Sequence, residues 1–199
     1  MLSLWPKFLN WALCNICNIT IVVKGKKNIP KNPFIVVSNH QGQWETFFCQ
    51  HLFFPLTTLL KRELLFIPIW GWALALLRPI AIDRGNPRSA LKKVLIEGED
   101  KIKKGFSILF FPEGTRKKPG EIGNYARSGF ELAKKTDVPI LPLVHNSGDC
   151  WPAHKFLKYP GLIKLIIGPQ LVNIDSSLKA SQEVQRWAKE NLAEIYGND

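Results

Sequence analysis

A chain of 199 residues, 46% hydrophobic and 22% charged, can bury one proper core and is too apolar to be disordered. Its 27 Lys and Arg against 16 Asp and Glu give a formal charge of +11, so partners are expected among anions: nucleic acid, a phospholipid headgroup layer or a phosphorylated substrate. Cys14, Cys17, Cys49 and Cys150 lack the second Cys or His pair of a zinc set, and they predict buried thiols in a reducing compartment.

Residues 1–18 carry Trp5, Lys7, Phe8, Leu9 and Trp11 and predict a helix lying in a membrane interface, followed by a strand over 19–23. Three uncharged stretches, 8–23, 46–60 and 64–77, each fall short of the ~20 residues that cross a bilayer, so any membrane contact is expected to be monotopic. No secretory signal with a cleavage site is visible. The run Phe34-Ile35-Val36-Val37 predicts a buried strand, and the apolar stretch 45–54 a helix packed on it. Strands are expected over 56–60 and 80–82, separated by helical pieces broken at Pro68. Asn86-Pro87 supplies both a helix cap and a first-turn proline, and Lys103-Lys104-Gly105 a matching stop. Beyond it the pattern predicts a strand over 106–111, a helix over 125–136, a strand over 140–144, an irregular stretch over 145–160, a strand over 162–167 and an amphipathic helix over 181–196. Strand and helix alternate, which argues an α/β fold with a mainly parallel central sheet flanked by helices. The expected organisation is an interface helix over 1–18 and one domain over 19–199.

In a parallel sheet all strand C-termini share one edge, where active-site groups collect. The polar residues fall at those ends: Ser38-Asn39-His40 with Glu45, then Lys61, then Asp83-Arg84-Gly85-Asn86, then Glu113-Gly114-Thr115-Arg116. If Glu45 takes one imidazole N–H of His40, the other ring nitrogen is left to accept a proton, which makes a general base. No Ser or Cys nucleophile lies nearby in sequence, so the nucleophile would be a substrate hydroxyl. Lys61, Arg84 and Arg116 around such a base suit a phosphate, which the planar guanidinium fork can grip by two oxygens. Gly114 permits positive φ and close backbone approach, and Glu113 is expected to accept hydrogen bonds from substrate hydroxyls.

The motifs Asn39-His40-x4-Glu45, Lys61-x-Glu63-Leu64-x3-Pro68-x2-Gly71, Asp83-Arg84-Gly85-Asn86, Phe111-Pro112-Glu113-Gly114-Thr115-Arg116 and Val138-Pro139-Ile140-x-Pro142 occur in one order over about 33–148. In that order they resemble the lysophosphatidic acid acyltransferases of the glycerolipid acyltransferase family. The resemblance implies that family's fold and acyl transfer from a thioester, acyl-CoA or acyl carrier protein, to the hydroxyl of lysophosphatidic acid, without metal or cofactor. It implies His40 as base with Glu45 as partner, Lys61 and Arg84 near the phosphate, and Glu113, Gly114, Thr115 and Arg116 as the acceptor-binding run. Val138, Pro139 and Ile140 would shape the acyl and acceptor pocket. An anionic membrane surface on the cytoplasmic face is the expected setting, and nucleic acid is not an expected partner. The family's usual acid is Asp; Glu45 adds one methylene, a reach of roughly 1.5 Å. Many members of the family it resembles carry a longer N-terminal apolar region, here compressed into about twenty residues. Alternative readings are an acyltransferase for a related lysophospholipid, a thioesterase, and a non-catalytic module binding anionic lipid or nucleic acid.

Overall fold

The computed structural model describes residues 4–68, 70–83 and 85–197. Seven strands form its centre: β1 (Ile19–Lys24), β2 (Ile35–Ser38), β3 (Leu56–Lys61), β4 (Ile80–Ile82), β5 (Ser107–Phe110), β6 (Ile140–His145) and β7 (Gly161–Ile167). They lie in the order β1-β7-β6-β2-β5-β3-β4. The five from β6 to β4 are mutually parallel. β7 is antiparallel to β6, and β1 runs parallel with β7. The mainly parallel sheet expected from the sequence is therefore present, with a reversed pair at one edge.

Alternation along β2 divides the core. Val36 joins Leu109, Leu141 and Leu143 on one face, where Leu13 of α1 (Leu4–Asn15) and Trp44 and Phe48 of α2 (Trp44–Leu52) cover them. Ile35 and Val37 join Ile108, Phe110 and Ile140 on the other. There α4 (Pro87–Lys103) contributes Val94, α5 (Ser128–Thr136) Phe130 and Leu132, and α7 (Ser177–Gly197) Ala180 and Val184. Among the described residues there are also two smaller α-helices, α3 (Trp70–Leu76) and α6 (Ser147–Cys150), and two short 3-10 turns at Lys26–Asn28 and Arg62–Phe66.

Helix α4 follows its sequence signals closely. The Asn86 side chain accepts the Ser89 N–H at 3.1 Å, Pro87 opens the helix, and Gly105 just past it adopts φ +82°. Helix α5 starts three residues later than expected, and the loop before it is tied to the end of β5: Ala126 N–H donates to the Pro112 carbonyl and Gly123 N–H to Glu113. Helix α7 starts four residues earlier than expected, with the Ser177 hydroxyl donating to Glu131 of α5. The supposedly irregular stretch after β6 contains α6. All four thiols are free; Cys49 and Cys150 are buried as expected, while Cys17 is half-buried and Cys14 lies exposed on α1. No helix among the described residues is long and apolar enough to cross a membrane.

Candidate active site

The parallel register brings the C-terminal ends of β2, β3, β4, β5 and β6 to one edge, and the turn that follows β2 presents His40 there. Helix α2 begins at Trp44, so the Glu45 side chain folds back across the first helical turn. His40 Nδ1 lies 2.7 Å from Glu45 Oε1. The same oxygen accepts the N–H groups of Gln41 at 2.9 Å and Gly42 at 2.8 Å, while Oε2 accepts the Ser147 hydroxyl at 3.0 Å. Four donors thus surround a carboxylate with no exposed surface. Burial works against its ionisation, yet the His40 hydrogen bond and the Gly42 N–H outweigh it. The Glu45 carboxyl therefore titrates well below the usual carboxylate range and accepts the Nδ1–H of His40 as an anion. That fixes the tautomer and turns the basic lone pair to Nε2, which has no hydrogen-bond partner among the described residues.

The imidazole is held on its face as well. Phe111, directly after β5, stacks on it with ring centroids 4.0 Å apart and planes 17° apart. Beneath the dyad, Asn39 ties β2 to β6: its amide donates to the His145 carbonyl at 2.9 Å and accepts the His145 N–H at 3.1 Å. The buried His145 ring lies between the Asn39 carbonyl and the Ser147 N–H, and burial lowers its pKa, which keeps it neutral.

His40, Lys61 and Arg116 line one cavity of about 120 Å³, together with Gln43, Thr46, Phe47, Leu64, Leu74 and Phe111. Arg116 has no ion-pair partner among the described residues, and Lys61 has Glu63 at 3.8 Å. Gly114 sits in the left-handed region at φ +66°, with open space where a side chain would project. Thr115 is exposed. Arg84 lies outside the described residues. Two expected placements differ from the structure. Glu113 does not offer its carboxylate to the cleft: Oε2 accepts the His40 backbone N–H at 2.8 Å and Oε1 the Gly123 N–H at 2.7 Å. It fastens the His40 turn to the 117–123 loop, and burial pushes its pKa up against those two N–H bonds. Val138, Pro139 and Ile140 enter β6 at its N-terminal end, where Ile140 pairs with Ile35 at the start of β2. The parallel strands therefore hold them at the sheet edge opposite His40.

A family model described as acyltransferase matches residues 20–146. This chain belongs to the acyltransferase family. It is 44% identical over 195 residues, 96% of its length and 76% of the relative's, to a 1-acyl-sn-glycerol-3-phosphate acyltransferase of Pseudomonas aeruginosa. A chloroplastic protein of the same description from Arabidopsis thaliana is 34% identical over 139 residues, 67% of this chain and 38% of that protein. The crystal structure of the 1-acyl-sn-glycerophosphate acyltransferase PlsC from Thermotoga maritima superposes with a TM-score of 0.83 at 27% identity, covering all of this chain and 80% of that one.

Several residues of this acyltransferase's site are absent from the sequence reading. Ser147 and His145 belong to the polar run His145-Asn146-Ser147-Gly148, which follows a buried strand just as His40 does. That shared position, one more polar strand end on the same edge, is the signal that would have found them. Ser147→Ala leaves a buried oxygen of Glu45 without its donor and is expected to cost about 1.5–3 kcal/mol of stability, measured by urea denaturation.

Proposed function

We propose that this acyltransferase moves an acyl group from a thioester, acyl-CoA or acyl carrier protein, to the free hydroxyl of 1-acyl-sn-glycerol-3-phosphate, giving phosphatidic acid for phospholipid synthesis. The observation that carries this reading is the His40–Glu45 pair opening into the same cavity as Arg116 and Lys61. A proton acceptor beside two cations suits an alcohol whose molecule also carries a phosphate.

The acceptor hydroxyl gives its proton to His40 Nε2 as its oxygen attacks the thioester carbonyl. The imidazolium so formed lies against the anionic Glu45, which offsets the new charge. Collapse of the tetrahedral adduct breaks the carbon–sulfur bond, and the departing thiolate takes the proton back from Nε2. Ester and thiol are the products. The exchange needs a base and stabilisation of the oxyanion, and no resident cofactor or metal has a part in it.

Arg116 and Lys61 hold the phosphate, with Arg84 added by the resemblance. An apolar groove of about 380 Å³ shares Leu59 and Phe111 with the base cavity and runs past Gly114 to Leu91 and Val94 of α4. It suits an acyl chain better than the distant Val138–Ile140 end of β6. Attachment is monotopic, on the cytoplasmic face: α1 exposes the stacked rings of Phe8 and Trp11, and the +11 charge favours an anionic leaflet.

Transfer to a panel of lysophospholipids from both donor types tests the reading. Lysophosphatidic acid should be the preferred acceptor, and Arg116→Ala should raise its KM about tenfold or more with a smaller change in kcat. Thioester loss that ignores every acceptor would overturn it.

A further inference from the structure

We propose that residues 154–159 form a second membrane anchor, inserting Phe156 and Leu157 into an anionic bilayer beside the mouth of the active site. The segment reads His154-Lys155-Phe156-Leu157-Lys158-Tyr159, an apolar tip between two cations. Phe156 is 88% and Leu157 64% exposed, among the most exposed large apolar side chains described. The loop is closed at its base, where the Tyr159 N–H donates to the Cys150 carbonyl at 2.8 Å. Lys158 folds back over the rings of Trp151, at 4.4 Å, and Phe156, at 4.7 Å, and donates to the Phe156 carbonyl at 2.6 Å. The tip is therefore built to project, and an apolar tip flanked by ammonium groups fits the boundary between acyl chains and phosphates.

Its position ties the surface to the chemistry. Trp151 stacks on Phe47, which lines the His40 cavity, with ring centroids 6.5 Å apart. The Trp151 carbonyl also lies 2.5 Å from where a side chain on Gly42 would begin, so only glycine lets the loop sit against the turn that holds Glu45. Trp151 packs against the core layer that includes α2 and Leu13 of α1, so the loop belongs to the same face of the sheet as Phe8 and Trp11. Inserted there, the tip would open the cavity directly onto the lipid surface. The inference rests on the lipid-acyltransferase reading for its choice of a bilayer as occupant.

Partition of the full chain is measured on vesicles of phosphatidylcholine alone and of phosphatidylcholine mixed with phosphatidylglycerol. Wild type should prefer the mixed vesicles. The double variant Phe156→Ser/Leu157→Ser should lose about tenfold or more of that binding, from the apolar surface no longer buried, and Lys155→Glu should lose binding to the mixed vesicles alone. Transfer to a short-chain, monomeric lysophosphatidate should stay at the wild-type rate in both variants. Wild-type partition by the double variant overturns the proposal, as does equal wild-type binding to the two vesicle types. A wild-type dimer that the double variant dissociates also overturns it, by assigning the tip to a second copy. Absence of short-chain transfer from wild type would instead sink the proposed function, while the vesicle readout still reports on the loop.

Discussion

His40→Ala is expected to lower kcat/KM for acyl transfer by about 10²–10⁴-fold, the range that a positioned general base contributes. In the proposed mechanism the loss falls mainly on kcat, because Arg116 and Lys61 still line the cavity where the phosphate would sit. The fold should survive, because Glu45 keeps the Gln41 and Gly42 N–H groups and the Ser147 hydroxyl. Steady-state kinetics beside a circular dichroism melt separate the two effects. A folded alanine variant with near wild-type kcat would remove His40 from the chemistry.

The second large effect is expected of Glu45→Gln. Glutamine is nearly isosteric: its carbonyl oxygen can still accept from His40 and the two backbone N–H groups, and its amide can donate to the Ser147 oxygen. Geometry is kept and charge is lost. The imidazolium of the transition state then has no anion against it, and kcat should fall about 10²-fold, as for loss of one preorganised electrostatic contact. Stability carries a separate signature. The folded-state pKa of Glu45 is depressed, so its contribution is present above the ordinary carboxylate pKa and is lost as pH falls through the folded value. The stability gap between wild type and Glu45→Gln should therefore be widest at neutral pH and close only in strong acid, well below the usual carboxylate range. A gap that does not change with pH would show that Glu45 is not held as a buried anion.

The parts legible in the sequence are those whose signals are local. Asn86 and Pro87 announce α4 because a cap and a first-turn proline act within four residues. His40 and Glu45 announce each other because one helical turn joins them. What the sequence conceals is set by distant partners. The backbone just before α5 is held by distant partners, Pro112 and Glu113, which accept the Ala126 and Gly123 N–H groups. Glu113 looks like a ligand group in its motif, and only the fold shows its two oxygens turned to backbone donors. Val138 to Ile140 stand next to a strand, but adjacency does not say which end of the strand faces the site. Ser147 reaches Glu45 across 102 residues, a separation over which no local pattern could announce the contact.

Held flat against Phe111 and bonded to Glu45 through Nδ1, His40 turns a single nitrogen, Nε2, toward the cavity. The proton taken from the alcohol must leave from the atom that received it, toward a sulfur on that same side. In the proposed mechanism the acceptor oxygen attacks the thioester directly, with no acyl group held on the enzyme. Donor and acceptor therefore occupy it together, and double-reciprocal plots at several fixed acceptor concentrations should intersect where a ping-pong enzyme would give parallel lines.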